Sequence, residues 1–262
     1  SHQTDTRQMC FFIGYKMDNQ KLDNGFHKES ILVREFTADD RPDVLEIFSE
    51  GLMEMVADTA FRGLRHHPES VLLYTAATAL CFVVTMCWWV IALLPATVMC
   101  LRYFYSRCVI GAYLREAMNS DMGDIEGYYM STPGSCLWVA VLKDKVVGVV
   151  AAAGQSGGAL ELRRMCVDRG YRRCGVGIAL GQTVLKFAAA RGYSSVVLGT
   201  TAYAPAAHQL YHGLGFRRVR RTNGYATPGA TQSLLERIFY RVHHHYYTID
   251  LQSRKNISSG DC

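Results

Sequence analysis

No pair of cysteines in this chain has C-x-x-C spacing, and the nine cysteines are an odd number. Reduced thiols used as small apolar residues are therefore favoured over a disulfide framework. No N-terminal apolar stretch resembles a signal peptide. The net charge is only +5 and the arginines are spread over several segments. There is no dense basic stripe interleaved with aromatics, which argues against a nucleic-acid partner. The run His243-His244-His245 has no accompanying carboxylate or thiol pattern. Adjacent strand residues point to opposite faces, so no metal site is expected. The longest absence is of charge: residues 70–101 contain no Asp, Glu, Lys or Arg.

That uncharged run accounts for the high apolar content of the chain, 49%. A straight membrane span needs about 20 apolar residues, so the run is too long for one crossing and too short for two. Arg62, Arg65, His66 and His67 flank it on one side and Arg102 and Arg107 on the other. Basic residues at both ends suggest that both ends are cytosolic. Pro95 is expected to break or kink a helix, and Trp88-Trp89 sit mid-run, where a turn at an interface would lie. A first strand (residues 31–36) and a first helix (39–55) precede the run, and further strands follow residue 135. If all belong to one sheet, a single crossing would separate them. A re-entrant helical hairpin is the expected solution, with a buried soluble helix pair as the alternative.

What remains reads as an α/β (α+β) domain. Residues 106–118 suggest a helix, and 135–142 with 146–153 a hairpin around Lys143-Asp144-Lys145. A strand over 159–168 leads to Tyr171-Arg172-Arg173-Cys174-Gly175-Val176-Gly177-Ile178-Ala179 and a helix with apolar residues at helical spacing, stopped by Gly192. Residues 194–199 read as a buried strand and 205–214 as a short helix. Two late strands are expected near 216–219 and 246–251. A basic, glycine-spaced turn between strand and helix suits a pyrophosphate. Glycine lets the backbone approach, first-turn N–H groups lack intrahelical acceptors, and the helix N-terminus is partly positive. R-x-x-G-x-G is neither the dinucleotide G-x-G-x-x-G nor a P-loop, since no Gly-Lys-Ser/Thr closes it. It points to coenzyme A.

The element order, R-x-x-G-x-G, and Ala207-His208-Gln209-Leu210-Tyr211-His212-Gly213-Leu214-Gly215-Phe216 (A-x-x-L-Y-x-x-x-G-F) together resemble the GNAT superfamily of acetyl-CoA-dependent N-acetyltransferases. The resemblance narrows at residues 59–65, 101–107, 127–130, 133–136 and 197–201. With the uncharged insertion, these look like the membrane-associated aspartate N-acetyltransferases; the cysteine-S-conjugate N-acetyltransferases share the plan and match less well. The resemblance implies a mixed central sheet flanked by helices, with an inserted membrane-associated hairpin. It assigns 31–56 and 107–251 to the acetyltransferase domain and 57–106 to the anchoring insertion. The polar segment 1–30, expected to be disordered, and the tail 252–262 lie outside it. The implied location is an endoplasmic reticulum or mitochondrial membrane, with the catalytic domain facing the cytosol.

The same resemblance implies the site. Backbone groups of Met165 and Val167 would meet the acetyl carbonyl and pantetheine of acetyl-CoA. Arg172, Arg173, Gly175, Val176, Gly177, Ile178 and Ala179 would hold the pyrophosphate. Where the family often carries Asn, this chain has Ala204, and Thr200 and Thr201 are candidate substitutes. Glu161, placed by alternation on the face of Met165, would take the proton of the ammonium or anchor it. Tyr211 would protonate the departing thiolate or pack the helix. For an L-aspartate acceptor the cationic candidates are Arg163 beside Glu161, Arg164 on the opposite face, Arg62, Arg65 and Arg34. Arg217, Arg218, Arg220 and Arg221 read as facing solvent or anionic lipid. Other acceptors of the same fold, a cysteine S-conjugate or a protein lysine, and a non-catalytic coenzyme A-binding scaffold are the competing readings.

Overall fold

The computed structural model describes residues 31–62, 68–223 and 243–251. Arg65, the segment 1–30 and the tail 252–262 lie outside the described residues, as does the side chain of Arg62. Seven strands form one mixed sheet: β1 (Leu32–Glu35), β2 (Cys136–Leu142), β3 (Lys145–Gly154), β4 (Ala159–Val167), β5 (Ser195–Thr201), β6 (Arg217–Asn223) and β7 (His243–Asp250). Their order is β1-β2-β3-β4-β5-β7-β6. Only β4 and β5 pair in parallel.

The β2–β3 hairpin turns at Lys143 and Asp144, both at positive φ (52° and 58°). That geometry matches the right-handed twist of the flanking strands. β3 is an unbroken run of small and β-branched residues because helices cover it on both sides. On one face, α4 (Val176–Ala190) and α5 (Pro205–Gly213) pack over Leu160, Leu162, Met165 and Leu198. Gly148 allows α4 to come close: a Cβ there would lie 3.0 Å from Val176 and 3.1 Å from Leu180. On the other face, α1 (Arg41–Ala57) buries Val44, Phe48, Leu52 and Met55 over Val149, Ala151 and Cys166.

The insertion is a pair of helices, α2 (Pro68–Thr85) and α3 (Trp89–Asn119), joined by Met86, Cys87 and Trp88. Trp88 and Trp89 therefore sit at the tip, 76% and 73% exposed. Pro95, expected to break or kink a helix, does not end α3. Its missing N–H removes one bond from a 31-residue helix, and the remaining turns carry the helix through. The helix expected at 106–118 is the far half of the same α3, so the insertion and the domain share one rigid element. That half packs on α1 through Ile110 and Ala117. The joint is polar and buried: Ser106 donates to the Val56 carbonyl (3.0 Å), and Arg102 donates to the Ala60 carbonyl (3.2 Å) and Tyr74 Oη (3.2 Å). Short π-helical turns at Asp58–Arg62 and Glu126–Met130, which the sequence did not suggest, link these elements.

Candidate active site

β4 and β5 pair only at Ala159, Leu160 and Glu161 against Ser195, Val196 and Val197, and then part. The gap that opens beyond Glu161 frees one edge of β4 in the middle of the sheet. The register against β3 also shifts, because Val149 opposes Cys166 while Ala151 opposes Arg163. Two residues of β4 thus face one of β3. Arg164, at φ 51°, takes the left-handed conformation of that bulge.

The bulge overturns two expectations. Strand alternation put Met165 on the face of Glu161; the extra residue turns Met165 to the opposite face, into the α4/α5 cluster. It also put Arg164 opposite Arg163, whereas both point to the α1/α3 face. Arg164 stacks over Phe48 at 5.2 Å and is 2% exposed. It makes a two-pronged bridge to Asp121 (2.9 and 2.6 Å) and donates to Tyr113 Oη (2.6 Å). Tyr129 also donates to Asp121. Burial works to raise the Asp121 carboxyl, but Arg164, Tyr129 and Ser120 outweigh it and hold it below the usual carboxylate range. Arg164 is thus a structural cation bracing the bulge and stays out of the acceptor cleft.

On that same face a cleft of about 390 Å³ opens beside β5, lined by Glu161, Gln155, Val197, Arg220, Tyr246 and Thr248 among others. Glu161 is 6% exposed, and its contacts gather on Oε2. Arg163 Nε (2.7 Å) and Nη2 (2.5 Å) reach that oxygen, and Gln155 donates to it as well. No side chain bonds Oε1 among the described residues. Arg163 Nη1 also donates to Tyr128 Oη (3.2 Å). The strand spacing in the sequence puts Arg163 on the face of Glu161, where the two pair. It gave no sign of Gln155 or Tyr128, which arrive through a turn and a π-helical segment. Arg34 is not brought here: it sits on β1 and pairs with Asp40 through both oxygens (2.6 and 2.7 Å).

The opposite face holds the remaining parts. Tyr211, fully buried on α5, packs on Phe216 and Tyr247 and donates to Met165 Sδ at 3.9 Å. Leu198 belongs to this cluster, so alternation along β5 puts Thr200 here and Thr201 on the cleft face. Both threonine hydroxyls are buried without a hydrogen-bond partner among the described residues. At the end of β4, Gly175 (φ 89°) caps α4, whose first intrahelical bond runs from Ala179 N to Gly175 O (3.0 Å). The amides of Val176, Gly177 and Ile178 therefore have no helical acceptor. Arg173, at φ 65°, is exposed at this turn. Arg172 instead braces it, donating to the Val167 carbonyl (3.1 Å) and bridging to Glu54 on α1 (2.9 Å). Free amides at a helix start, an exposed arginine and an orphaned hydroxyl suit a phosphorylated, amide-rich ligand such as acetyl-CoA. Burial pushes the Cys166 thiol up to about 12, so it is not a ready nucleophile. Among the described residues no His, Cys, Asp and Glu group is arranged to hold a metal ion.

A model of the acetyltransferase (GNAT) family matches residues 101–216. The N-acetylaspartate synthetase of Homo sapiens is 50% identical over 223 residues, covering 85% of this chain and 74% of that protein. The N-acetylaspartate synthetase of Danio rerio is 45% identical over 225 residues, covering 86% and 80%. N-acetyltransferase 8B of Homo sapiens is more distant, 32% identical over 191 residues, covering 71% and 84%.

Proposed function

This chain belongs to the GNAT acetyltransferase family, and from that premise we propose that it transfers an acetyl group from acetyl-CoA to the α-amine of L-aspartate. The products are N-acetyl-L-aspartate and coenzyme A. The observation that carries the reading is the parting of β4 from β5 beyond Glu161. It joins a carboxylate cleft on one face of the sheet to a phosphate turn and a buried tyrosine on the other.

Bound acetyl-CoA would supply the activated acetyl thioester, held by the amides of Val176, Gly177 and Ile178, by Arg173 and by Thr200. The chain's own residues do the rest. The edge of β4 left free by β5 offers backbone N–H groups at Met165 and Val167 to polarise a carbonyl. Glu161 Oε1 receives the acceptor ammonium and takes its proton, directly or through water, so that the amine attacks as the neutral base. Arg163 and Gln155 hold the carboxylate's other oxygen and fix its orientation. Tyr211, across the gap, delivers a proton to the departing thiolate. Attack is direct, in a ternary complex, and no protein residue is acetylated. Product analysis of purified protein with acetyl-CoA and a panel of amines tests this: N-acetyl-L-aspartate as the main product is expected, and preferential acetylation of a cysteine S-conjugate or a lysine peptide would refute it.

The chain is also proposed to be tethered to a membrane by the α2–α3 hairpin, with both ends on the cytosolic side. Helix α3 is long and apolar enough to cross a membrane, and only 11% of its most apolar stretch is buried. Leu72, Leu80, Val83, Val84 and Leu93 are exposed along the pair, an apolar surface too large for a water-facing protein. An 18-residue α2 spans about 27 Å, just short of a hydrocarbon core of about 30 Å. Both ends of the hairpin meet the same domain through Arg102, Ser106 and α1, which favours entry and return on one side. In sealed vesicles, tags at the two chain ends should be digested together; protection of one end alone would refute the hairpin.

A further inference from the structure

Glu161 and Arg163 neutralise each other, so they give the cleft no net charge. Arg220 lines the same cleft from β6, three strands away, with an exposed side chain. It pairs with Tyr246 across the β6–β7 ladder, next to the register shift between Arg218 and Arg220 that re-aims this edge. No carboxylate among the described residues bridges to it. Arg217 and Arg218 share its strand but do not line the cleft. Among the described residues the cleft therefore holds one uncompensated cation, Arg220, reaching it from β6 while Glu161 lines it from β4.

We infer that Arg220 is the specificity-determining residue that binds the side-chain carboxylate of the acceptor. The assignment rests on the proposed aspartate reading and adds the group that selects it. In an α-amino acid, the α-carboxylate lies one carbon from the amine. With the amine at Glu161 Oε1, the α-carboxylate falls beside Arg163, which already reaches both Glu161 and Tyr128 Oη. The β-carboxylate lies further out, toward the opposite wall. Three strand spacings separate β4 from β6, roughly 14 Å of backbone, and two long side chains reach inward across it. A guanidinium fork is the donor that binds a carboxylate with two parallel bonds. An acceptor with one ammonium and two carboxylates carries net charge −1 and complements the uncompensated charge of Arg220. A neutral side chain, as in asparagine, leaves Arg220 unmatched.

The test compares aspartate with asparagine as acceptors for the full-length enzyme and for Arg220→Gln and Arg220→Lys. The wild-type ratio of kcat/KM, aspartate over asparagine, is expected to fall about 10- to 100-fold in Arg220→Gln, chiefly through the aspartate KM. Arg220→Lys should recover part of it, since the charge stays and the fork is lost. Because Arg220 is exposed, the thermal midpoint should stay at the wild-type value. A ratio within twofold of wild type in both variants overturns the assignment. A wild-type enzyme that makes no N-acetylaspartate would instead overturn the function on which it rests.

Discussion

The two faces of the central sheet are built on different terms. The donor face carries its parts as contiguous stretches: the arginine-glycine turn, the start of α4, and Tyr211 on α5. The acceptor face gathers single residues from distant places: Glu161 and Arg163 on β4, Gln155 before it, Tyr128 from a π-helical turn and Arg220 from β6. The first kind of site is made largely by local backbone geometry. The second exists only while strand register, bulge and gap are held. The buried Arg164–Asp121 pair is the support on that side; on the donor side the Arg172–Glu54 bridge braces the turn, with both side chains more exposed.

The sharpest way to break this difference is to remove the support. Asp121→Asn leaves the Arg164 cation buried without its partner, which should cost about 3–5 kcal/mol of stability. Chemical unfolding measures it; a loss below about 1 kcal/mol would mean the pair does not hold the bulge. The folded-state carboxyl of Asp121 lies below its unfolded value. Its contribution is therefore complete above the unfolded carboxylate pKa, about 4, and is lost as pH falls through the lower folded value. The variant should show a shallower loss of stability on acidification.

Next comes the chemistry on each face. Glu161→Gln keeps the shape of the cleft but removes the proton acceptor, and kcat/KM should fall about a thousandfold. A fall below tenfold would leave Glu161 with an anchoring role at most. Tyr211→Phe preserves the packing on Phe216 and Tyr247 while deleting the proton donor. We expect kcat to drop about a hundredfold, with the thermal midpoint lowered by only about 2–4 °C for the lost hydrogen bond. Unchanged turnover would reduce Tyr211 to a core residue.

The smallest expected effect lies on α5 itself. Burial lowers the pKa of His208, whose Nδ1 lies 2.8 Å from Tyr247 Oη. The folded state thus disfavours the imidazolium. Its contribution is complete above the unfolded pKa of about 6.5 and is lost as pH falls toward the lower folded value. Thermal midpoints measured from pH 7 to 5 should decline more steeply in the wild type than in His208→Gln. Parallel curves would discount the residue.

How much of this was readable beforehand follows the same division. The glycine turn at the start of α4, the shared face of Glu161 and Arg163 and the pair of apolar helices are legible because each is set within a short stretch. The placement of Met165 and Arg164 was misread because alternation holds only while the ladder is regular, and one left-handed residue reverses it. Arg220 reads, among four arginines, as facing solvent or anionic lipid. Nothing in its own neighbourhood distinguishes it from Arg217 and Arg218.

The sequence by itself determined the glycine turn at the start of α4 and the pair of apolar helices. Glycine spacing, free first-turn amides and an uncharged run of apolar residues act through the backbone and through solvent, without a distant partner. Tertiary structure alone decided the acceptor side. A bulge is a mismatch between two strands, and a cleft is the space left when two strands part. Neither property belongs to any one segment of the chain.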